Sequence, residues 1–289
     1  MWLICEPIGL SPPAMAAIQK DLQDCNQKVD PDRQIAGCTR AIAFPPARNI
    51  RGFLLYNRGI AWISKGEFDR AIADFDEAIR LDPKKAFLHE GRGNAWASKG
   101  EFDRAVADFD EAIRLDPKNS GPYNDRGLAW KQKREFDRAI ADFNDAIRLT
   151  PKWALPYVNR GEAWRLKGDL DQALTDLNQA VTLDPKGTLV YAFRGDTLRY
   201  KGEFARAIAD YESALQNMAS HDYIPALTGL GLTYEKMGDL AKAHTNFEKA
   251  RDSQSNARFT EPSSTSLETA RAQLAALDSG VAPPTIPLS

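Results

Sequence analysis

The chain carries glycine at a fixed interval of 34 residues through its middle. Five glycines keep this spacing and a sixth follows after 36 residues: Gly59, Gly93, Gly127, Gly161, Gly195 and Gly231. Self-similarity at this period is typical of solenoids of helix pairs, in which one pair is too small to bury its apolar face and stacks on its neighbours. The spacing therefore predicts a repeat array, which offers surface to partners.

Within one unit, residues 86–119, the apolar positions predict two antiparallel helices. Gly93 and Trp96 recur at helical spacing before a break, and Ala105 and Phe109 recur after it. Because Gly93 and Ala105 lack bulk, the two backbones can approach closely, while Trp96 and Phe109 fill the space beside that contact. The unit ends at a proline, since the residue before proline is pushed out of helical geometry.

The same four positions recur in every unit as a glycine, an aromatic residue or leucine, an alanine, and again an aromatic residue or leucine. In the other five units they are Gly59, Trp62, Ala71, Phe75; Gly127, Trp130, Ala139, Phe143; Gly161, Trp164, Ala173, Leu177; Gly195, Leu198, Ala207, Tyr211; and Gly231, Tyr234, Ala243, Phe247. On these residues the chain resembles the tetratricopeptide repeat family over residues 52–257. The resemblance implies an all-α, right-handed superhelical solenoid of antiparallel helix pairs.

The flanks extend this array at both ends. We expect an N-terminal segment at 1–16, a degenerate helix pair at 17–51, a linker and capping helix at 258–278, and a disordered tail at 279–289. Thr265 and Glu268 are spaced as a capping box for the last helix. The six repeats between the flanks are 52–85, 86–119, 120–153, 154–187, 188–223 and 224–257.

Five units place an arginine before the glycine and an aspartate in the second helix. The pairs are Arg58 with Asp74, Arg92 with Asp108, Arg126 with Asp142, Arg160 with Asp176, and Arg194 with Asp210. The sixth unit changes both partners together, to Leu230 and Asn246. Antiparallel helices bring the two positions opposite each other, which predicts either a partly buried bidentate pair that fixes register or a solvated pair of little energetic worth.

Two cysteines stand where the degenerate pair should have touching residues. Aligning Ala41 with Ala78 places Cys25 at the position of Trp62 and Cys38 at that of Phe75. A disulfide between them would tie the two helices of this terminal unit and stabilise it by about 2 to 4 kcal/mol. Two buried free thiols are one alternative, and a metal or redox role is another.

The compartment follows from the state of these thiols, because a disulfide requires an oxidising environment. The start of the chain ends in a small-residue cleavage-like site, but it lacks a basic region and is interrupted by Glu6 and Pro7. It is a poor signal peptide, so either an export signal is truncated or the protein is cytoplasmic. Many bacterial tetratricopeptide proteins with similar Arg-Gly units are exported, so the resemblance favours a periplasmic or exported protein.

The composition narrows the kind of partner. A formal net charge of −2 gives no general attraction for phosphate backbones, which disfavours nucleic acid. No apolar run approaches the roughly 20 residues of a membrane helix, so we expect no membrane insertion. The three histidines, His89, His221 and His244, lie in no catalytic or metal-binding arrangement, and His89 is expected to be packed. We expect no catalytic residue, no metal and no cofactor.

The first helix of each unit lines the concave side in this family, and the resemblance implies that peptides or partner helices bind there. The residues placed on that side are Asn57, Asn94, Asn124, Lys131, Asn159, Glu162, Arg165, Asp196 and Arg199. Three of them, Lys131, Arg165 and Arg199, are one repeat apart and form a basic stripe. The stripe is interpreted either as a solvated face or as a clamp for carboxylate-bearing segments.

Chaperone-binding members of the family hold a terminal carboxylate with a lysine and an asparagine four residues apart, and this pair is not reproduced here. The function predicted from the sequence is a non-catalytic scaffold that binds another protein or peptide in its groove. A helical-repeat RNA-binding protein is the second hypothesis, and the acidic balance disfavours it. An enzyme with an unrecognised site is the third.

Overall fold

The computed structural model describes residues 12–44, 50–218, 223–253 and 261–279, all in helices and short connections. The chain divides into two compact units, unit 1 from Met1 to Leu149 and unit 2 from Thr150 to Ser289. In each unit, adjacent antiparallel helices pack in series. The fold is thus an all-α solenoid of helix pairs.

Eight helices are described in unit 1 and seven in unit 2. Unit 1 contains α1 (Pro12–Asn26), α2 (Pro31–Ala43), α3 (Arg51–Ser64), α4 (Phe68–Leu81), α5 (Ala86–Ser98), α6 (Phe102–Leu115), α7 (Ser120–Gln132) and α8 (Phe136–Leu149). Unit 2 contains α9 (Ala154–Lys167), α10 (Leu170–Leu183), α11 (Thr188–Tyr200), α12 (Phe204–Asn217), α13 (Ile224–Lys236), α14 (Leu240–Asp252) and α15 (Glu261–Ser279).

Each of the six repeats holds one pair, from α3 and α4 through α13 and α14. The terminal pair differs from the sequence prediction, because α1 begins at Pro12 and not at residue 17. Proline suits the first turn of a helix, where its missing N–H is unpaired in any case. The predicted N-terminal segment at 1–16 therefore overlaps α1, and its residues 1–11 lie outside the described part of the chain.

The two helices of a repeat approach closely at the recurring glycine. A Cβ on Gly93 would come within 2.7 Å of Cε1 of Phe109. Phe75 meets a second glycine as well, because a Cβ on Gly91 of the next repeat would lie 2.7 Å from its ring. Since Phe75 and Phe109 are both fully buried, these rings fill the layer between consecutive first helices.

All five arginine–aspartate pairs expected from the sequence are brought together. In the second repeat, Nε and Nη2 of Arg92 donate to the two oxygens of Asp108 at 2.9 and 2.6 Å. The same fork joins Arg58 to Asp74, Arg126 to Asp142, Arg160 to Asp176 and Arg194 to Asp210. The five aspartates are buried, with 5 to 6% of their surface exposed, so the pairs are not solvated surface contacts.

The arginine fork also connects neighbouring repeats. The third guanidinium nitrogen of Arg92 donates to Asp76 on the preceding repeat at 2.5 Å, and that of Arg126 bonds Asp110 in the same way. In unit 2, Nη1 of Arg194 donates to Asn178 at 3.0 Å. Each of these arginines therefore fixes the position of a repeat relative to the one before it, which the sequence reasoning did not anticipate.

The sixth repeat has no such pair among its described residues. Leu230 is buried with 4% exposed and joins the apolar cluster around Tyr211. Asn246 is half-buried, and its amide donates to the carbonyl of Lys242 within its own helix. An apolar contact has thus replaced the ion pair at this position.

A disulfide joins Cys25 of α1 to Cys38 of α2. Both cysteines are buried and pack with Ala41 and Leu54, which lies on α3. The bridge therefore ties the two helices of the terminal pair, as the alignment predicted, and it also packs against α3 of the first repeat.

The last helix, α15, packs against both α13 and α14. Ala270 and Leu274 bury against a cluster that contains Phe247, and the hydroxyl of Thr228 donates to the carbonyl of Ser266 at 3.1 Å. The predicted capping box is wrong, because α15 begins at Glu261 and Thr265 lies inside the helix. Of the predicted tail, residues 280–289 lie outside the described residues.

Candidate functional site

The first helices of successive repeats lie side by side in each unit. In unit 1, α3 packs against α5 and α5 against α7; in unit 2, α9 packs against α11 and α11 against α13. Among the described helices, no second helix of a repeat packs in this way against the second helix of the next repeat. The first helices are therefore drawn together on one side, which we call the inner face of each unit.

The inner face of unit 1 exposes aromatic side chains. Phe53 on α3 and Phe87 on α5 are 50% and 38% exposed. Tyr56 packs edge-to-face against Phe87, with ring centroids 4.9 Å apart. Such exposed apolar surface on a folded repeat is a common mark of a binding site.

Two carboxyl groups lie beside these aromatic residues. Glu90 accepts a hydrogen bond from Asn119 at 3.4 Å, and Asp125 accepts one from Asn124 at 3.2 Å. Burial and the negative charge of Asp125 raise the pKa of Glu90 to about 7. Burial also raises the pKa of Asp125. A cationic group brought near would favour the charged form of both.

The residues predicted for binding in unit 1 have different environments. Asn57 and Asn124 are buried, with 8% and 2% exposed, so they are poorly placed to touch a partner. Asn94 is half-buried and its amide bonds Asp125 across to the next first helix. Lys131 is half-buried and has an interaction partner. Of these residues, Asn94 links two neighbouring first helices, α5 and α7.

In unit 2, two predicted arginines flank one aromatic ring. The guanidinium carbons of Arg165 and Arg199 lie 5.3 and 4.4 Å from the ring centroid of Tyr200. Nη2 of Arg199 is 3.3 Å from Oδ1 of Asp196, and the same oxygen accepts the Tyr211 hydroxyl at 2.8 Å. Tyr200 and Tyr211 were not predicted as site residues.

Burial distinguishes the remaining predicted residues of unit 2. Arg165 is 6% exposed, and Asn159 is buried to the same extent. Glu162 and Asp196 are half-buried, and Glu162 has a partner. The three bases of the predicted stripe therefore do not share one solvated environment: Lys131 belongs to unit 1, while Arg165 and Arg199 are desolvated in unit 2.

Sequence reasoning missed the exposed apolar residues at the second position of the repeats. They are Phe53 and Phe87 in unit 1, and Leu155 and Leu189 in unit 2, which are 36% and 39% exposed. Their spacing of 34 or 68 residues was available in the sequence. Apolar residues at helical spacing are usually core, and only the structure shows that this position is left partly uncovered.

His89 is packed, as expected. It is 7% exposed, and its Nε2 donates to the carbonyl of Pro83 at 3.0 Å. Tyr123 occupies the same register one repeat later and donates its hydroxyl to the carbonyl of Pro117. His89 therefore performs the same structural task as the tyrosines of other repeats.

The described residues contain neither a membrane-spanning helix nor a cluster of metal ligands. None of the helices in the described ranges is long and apolar enough to cross a membrane. Likewise, no group of three or more histidine, cysteine, aspartate or glutamate residues in those ranges is arranged to hold a metal ion.

Comparison with protein families gives two matching models, both described as tetratricopeptide repeat. The first matches residues 56–120 and 124–188, and the second matches residues 188–256. Together they span the six repeats almost completely. A comparison with curated proteins finds no significant match.

Several solved structures are similar in fold. A tetratricopeptide repeat protein from Parabacteroides merdae has 20% identity and a TM-score of 0.70, with 89% of this chain and 98% of that chain covered. PilF of Pseudomonas aeruginosa has 16% identity and a TM-score of 0.61, with 78% and 99% covered. The Cut9–Hcn1 hetero-tetramer of the APC/C contains a chain with 18% identity and a TM-score of 0.65, with 87% and 50% covered.

Proposed function

Because the chain belongs to the tetratricopeptide repeat family, whose repeats generally mediate contacts between proteins, we propose that it is a non-catalytic scaffold. It binds a peptide segment or a helix of a partner protein on the inner face of its first helices. One of the structures similar in fold, Cut9–Hcn1, is itself a complex between proteins.

The observation that carries the proposal is the exposed apolar position on the first helices. Phe53 and Phe87 offer it in unit 1, and Leu155 and Leu189 offer it in unit 2. Since the two residues of each unit occupy the same position in consecutive repeats, a segment that crosses the first helices of either unit can meet one apolar contact on each of two repeats. Burial of such side chains supplies affinity at roughly 25 cal/mol per Å² of apolar surface removed from water.

Charges beside the apolar positions provide selectivity. The inner face of unit 1 has the carboxyl groups of Glu90 and Asp125, whereas unit 2 has the guanidinium groups of Arg165 and Arg199. A partner segment that combines apolar side chains with charged groups fits this arrangement, and electrostatic complementarity decides its orientation.

Site-specific photo-crosslinking tests the proposal. A photoreactive phenylalanine analogue replaces Phe87 on the inner face or, as a matched control, Leu81 at the end of α4, which is 51% exposed. In an extract of native cells, position 87 is expected to crosslink a discrete protein and position 81 is not. Crosslinks of equal yield from both positions, or to RNA alone, would contradict the proposal.

The same reasoning extends to the compartment, and we propose that the protein works in an oxidising one, the periplasm or outside the cell. The disulfide between Cys25 and Cys38 supports this, since such bridges persist where thiols are not kept reduced. Non-reducing mass spectrometry of protein purified from native cells with rapid thiol blocking tests it. Full alkylation of both cysteines would favour the cytoplasm.

A further inference from the structure

The row of exposed apolar residues on the first helices is interrupted by Gly121. Its equivalent positions, each 34 residues from the next, are Phe53, Phe87, Gly121, Leu155 and Leu189. A Cβ on Gly121 would come within 2.9 Å of Oε1 of Glu90. At this position the inner face of unit 1 therefore presents a carboxyl group instead of an apolar side chain.

A second carboxyl group, that of Asp125 on α7, completes what we call the Glu90 site. Burial and the negative charge of Asp125 raise the pKa of Glu90 to about 7. Asn119 donates to Glu90 at 3.4 Å. Asn94 and Asn124 donate to Asp125. These donors are neutral amides, and among the described residues neither carboxyl group forms an ion pair. Both acids are half-buried, so a partner can reach them.

The charged groups around the Glu90 site do not neutralise it. Asp116, after the end of α6, adds a negative charge that raises the pKa of Glu90 further. Lys131 follows Asp125 by six residues on α7, about 9 Å along the helix axis, and has an interaction of its own. A basic group supplied by a partner would therefore meet two uncompensated carboxyl groups.

Aromatic side chains adjoin the Glu90 site. Burial raises the pKa of Tyr56, and the negative charge of Glu90 adds to this effect, so the two side chains are close together. Tyr56 in turn packs edge-to-face against Phe87, with ring centroids 4.9 Å apart. Lysine and arginine cover apolar surface with their aliphatic stems while their charged ends stay at polar groups, and aromatic rings attract cations. The aromatic surface and the carboxyl groups therefore suit the same basic side chain.

We propose that the Glu90 site binds a lysine or arginine of the partner segment, whose apolar side chains meet Phe53 and Phe87. The proposal rests on the inner-face binding proposed above and adds the chemistry of the segment that unit 1 accepts. An acidic group would add a third negative charge here, and an apolar side chain would cover two carboxyl groups without pairing them.

The spacing of the first helices sets the spacing of the partner residues. Packed helix axes lie roughly 8 to 10 Å apart, and an extended chain advances about 3.3 Å per residue. The basic residue of an extended segment should therefore stand about three residues from the apolar residue that meets Phe87.

Nuclear magnetic resonance of the full chain, labelled with ¹⁵N, tests the proposal. Each peptide probe has blocked ends, two leucines three residues apart in an alanine background, and a test residue three positions beyond the second leucine. The test residue is lysine, acetyl-lysine or glutamate, and each probe is made in both chain directions. We expect the lysine probe, in at least one direction, to shift the amide resonance of Gly121 saturably. The acetyl-lysine probe should bind at least about tenfold more weakly, because it forms no charge-assisted hydrogen bond.

Two matched variants locate the effect. Glu90→Gln keeps the shape of the side chain but removes its charge, and we expect it to weaken binding of the lysine probe about tenfold or more. Glu101→Gln removes one charge from an exposed side chain in the turn before α6 and should leave binding unchanged. No saturable response to the lysine probe in either direction, or equal binding of the lysine and acetyl-lysine probes, would overturn the proposal. Tighter binding of the glutamate probe would assign the site to an acidic partner and overturn it as well.

The pH dependence of binding gives a readout that a purely structural role of Glu90 would not change. Because the pKa of Glu90 is about 7, its charged form is the minority at pH 6 and the majority at pH 8. The lysine probe should therefore bind about tenfold more tightly at pH 8 than at pH 6. Glu90→Gln should abolish this dependence, whereas a contribution from the neighbouring His89, whose ring lies 3.0 Å from the carbonyl of Pro83 and 3.8 Å from Asp108, would persist. A dependence that is unchanged in Glu90→Gln would contradict the proposal.

A stability measurement separates binding from packing. If Glu90 serves binding, Glu90→Gln should melt no lower than the unsubstituted chain at pH 8 while losing the preference for lysine. A lower melting temperature with lysine binding retained would assign Glu90 to packing and overturn the proposal. Crosslinking from position 87 without any preference for lysine would refute the Glu90 site alone; a lysine response without crosslinking would refute the scaffold function alone.

Discussion

The buried arginine–aspartate pairs make a quantitative prediction about what holds the repeats in register. Asp108→Ala removes both acceptors of the Arg92 fork, whose bonds measure 2.9 and 2.6 Å. Removing one partner of a buried pair costs about 3 to 5 kcal/mol, because a charge is left uncompensated. Arg92 keeps its bond to Asp76, and 25% of its side chain is exposed. We therefore expect a loss near the lower end, about 3 kcal/mol.

Two further variants separate the contribution of the buried Arg92–Asp108 pair from that of the outer bond between Arg92 and Asp76. Asp76→Ala removes the outer bond of Arg92, and because 54% of the Asp76 side chain is exposed, we expect a loss below about 1 kcal/mol. Arg92→Leu combined with Asp108→Asn copies the sixth repeat, which has Leu230 and Asn246. Since apolar replacement of a buried ion pair is often neutral, this double variant should recover most of the stability lost in Asp108→Ala.

Urea unfolding at neutral pH measures the free energy of each variant. Hydrogen exchange of α5 and α6 shows whether the loss is local, because long repeat arrays need not unfold in one step. A loss for Asp108→Ala as small as that for Asp76→Ala would refute the reasoning, since it would show that the pair behaves as a solvated contact.

Three other predictions concern pH and backbone geometry. The pKa of Glu90 is raised to about 7, so the folded chain holds a proton that the unfolded chain releases near 4.5. The free energy of unfolding should therefore fall as pH rises between these two values. Glu90→Gln should remove this pH dependence and stabilise the chain by about 1 to 2 kcal/mol above pH 7, after allowance for solvent screening, as measured by urea unfolding across pH. The hydrogen bond to Asp278 raises the pKa of His244. The contribution of this bond to the docking of α15 should therefore be complete below about pH 6.5 and fade as pH rises through the higher pKa of the folded chain, with faster hydrogen exchange in α15. Equal hydrogen exchange of α15 in His244→Gln and in the unsubstituted chain would contradict this. Arg134 has φ of 62° where five other turns have glycine, so Arg134→Gly should stabilise by up to about 1 kcal/mol and Gly100→Arg should destabilise by a similar amount in thermal melts.

The sequence predicted the repeat architecture because its signals are local and repeated. Glycine, a bulky apolar residue and alanine recur in six units, and the bounds of the helix pairs follow the predicted repeats closely. The arginine–aspartate pairs were also predictable, since antiparallel helices fix which positions face each other. The link from Arg92 to Asp76 of the preceding repeat was not, because it depends on the rotation between repeats.

The inner face was less predictable from sequence. Asn57 on α3 and Asn124 on α7 lie on first helices, as the exposed Phe87 on α5 does, yet both asparagines are buried. The Nε of Arg165 has no hydrogen-bond partner among the described residues, and this depends on where Tyr200 and Asp196 lie in the next repeat. Spacing alone places residues on one face of a helix, but it does not tell which polar side chain is left without a hydrogen-bond partner.

Hydrogen exchange of the chain, alone and in complex with the partner captured by crosslinking at position 87, tests the inner-face binding most directly. We expect the protection gained on binding to be concentrated in the first helices, α3 and α5 of unit 1 and α9 and α11 of unit 2. Protection concentrated in the second helices α4, α6, α10 and α12, with the first helices unchanged, would contradict it.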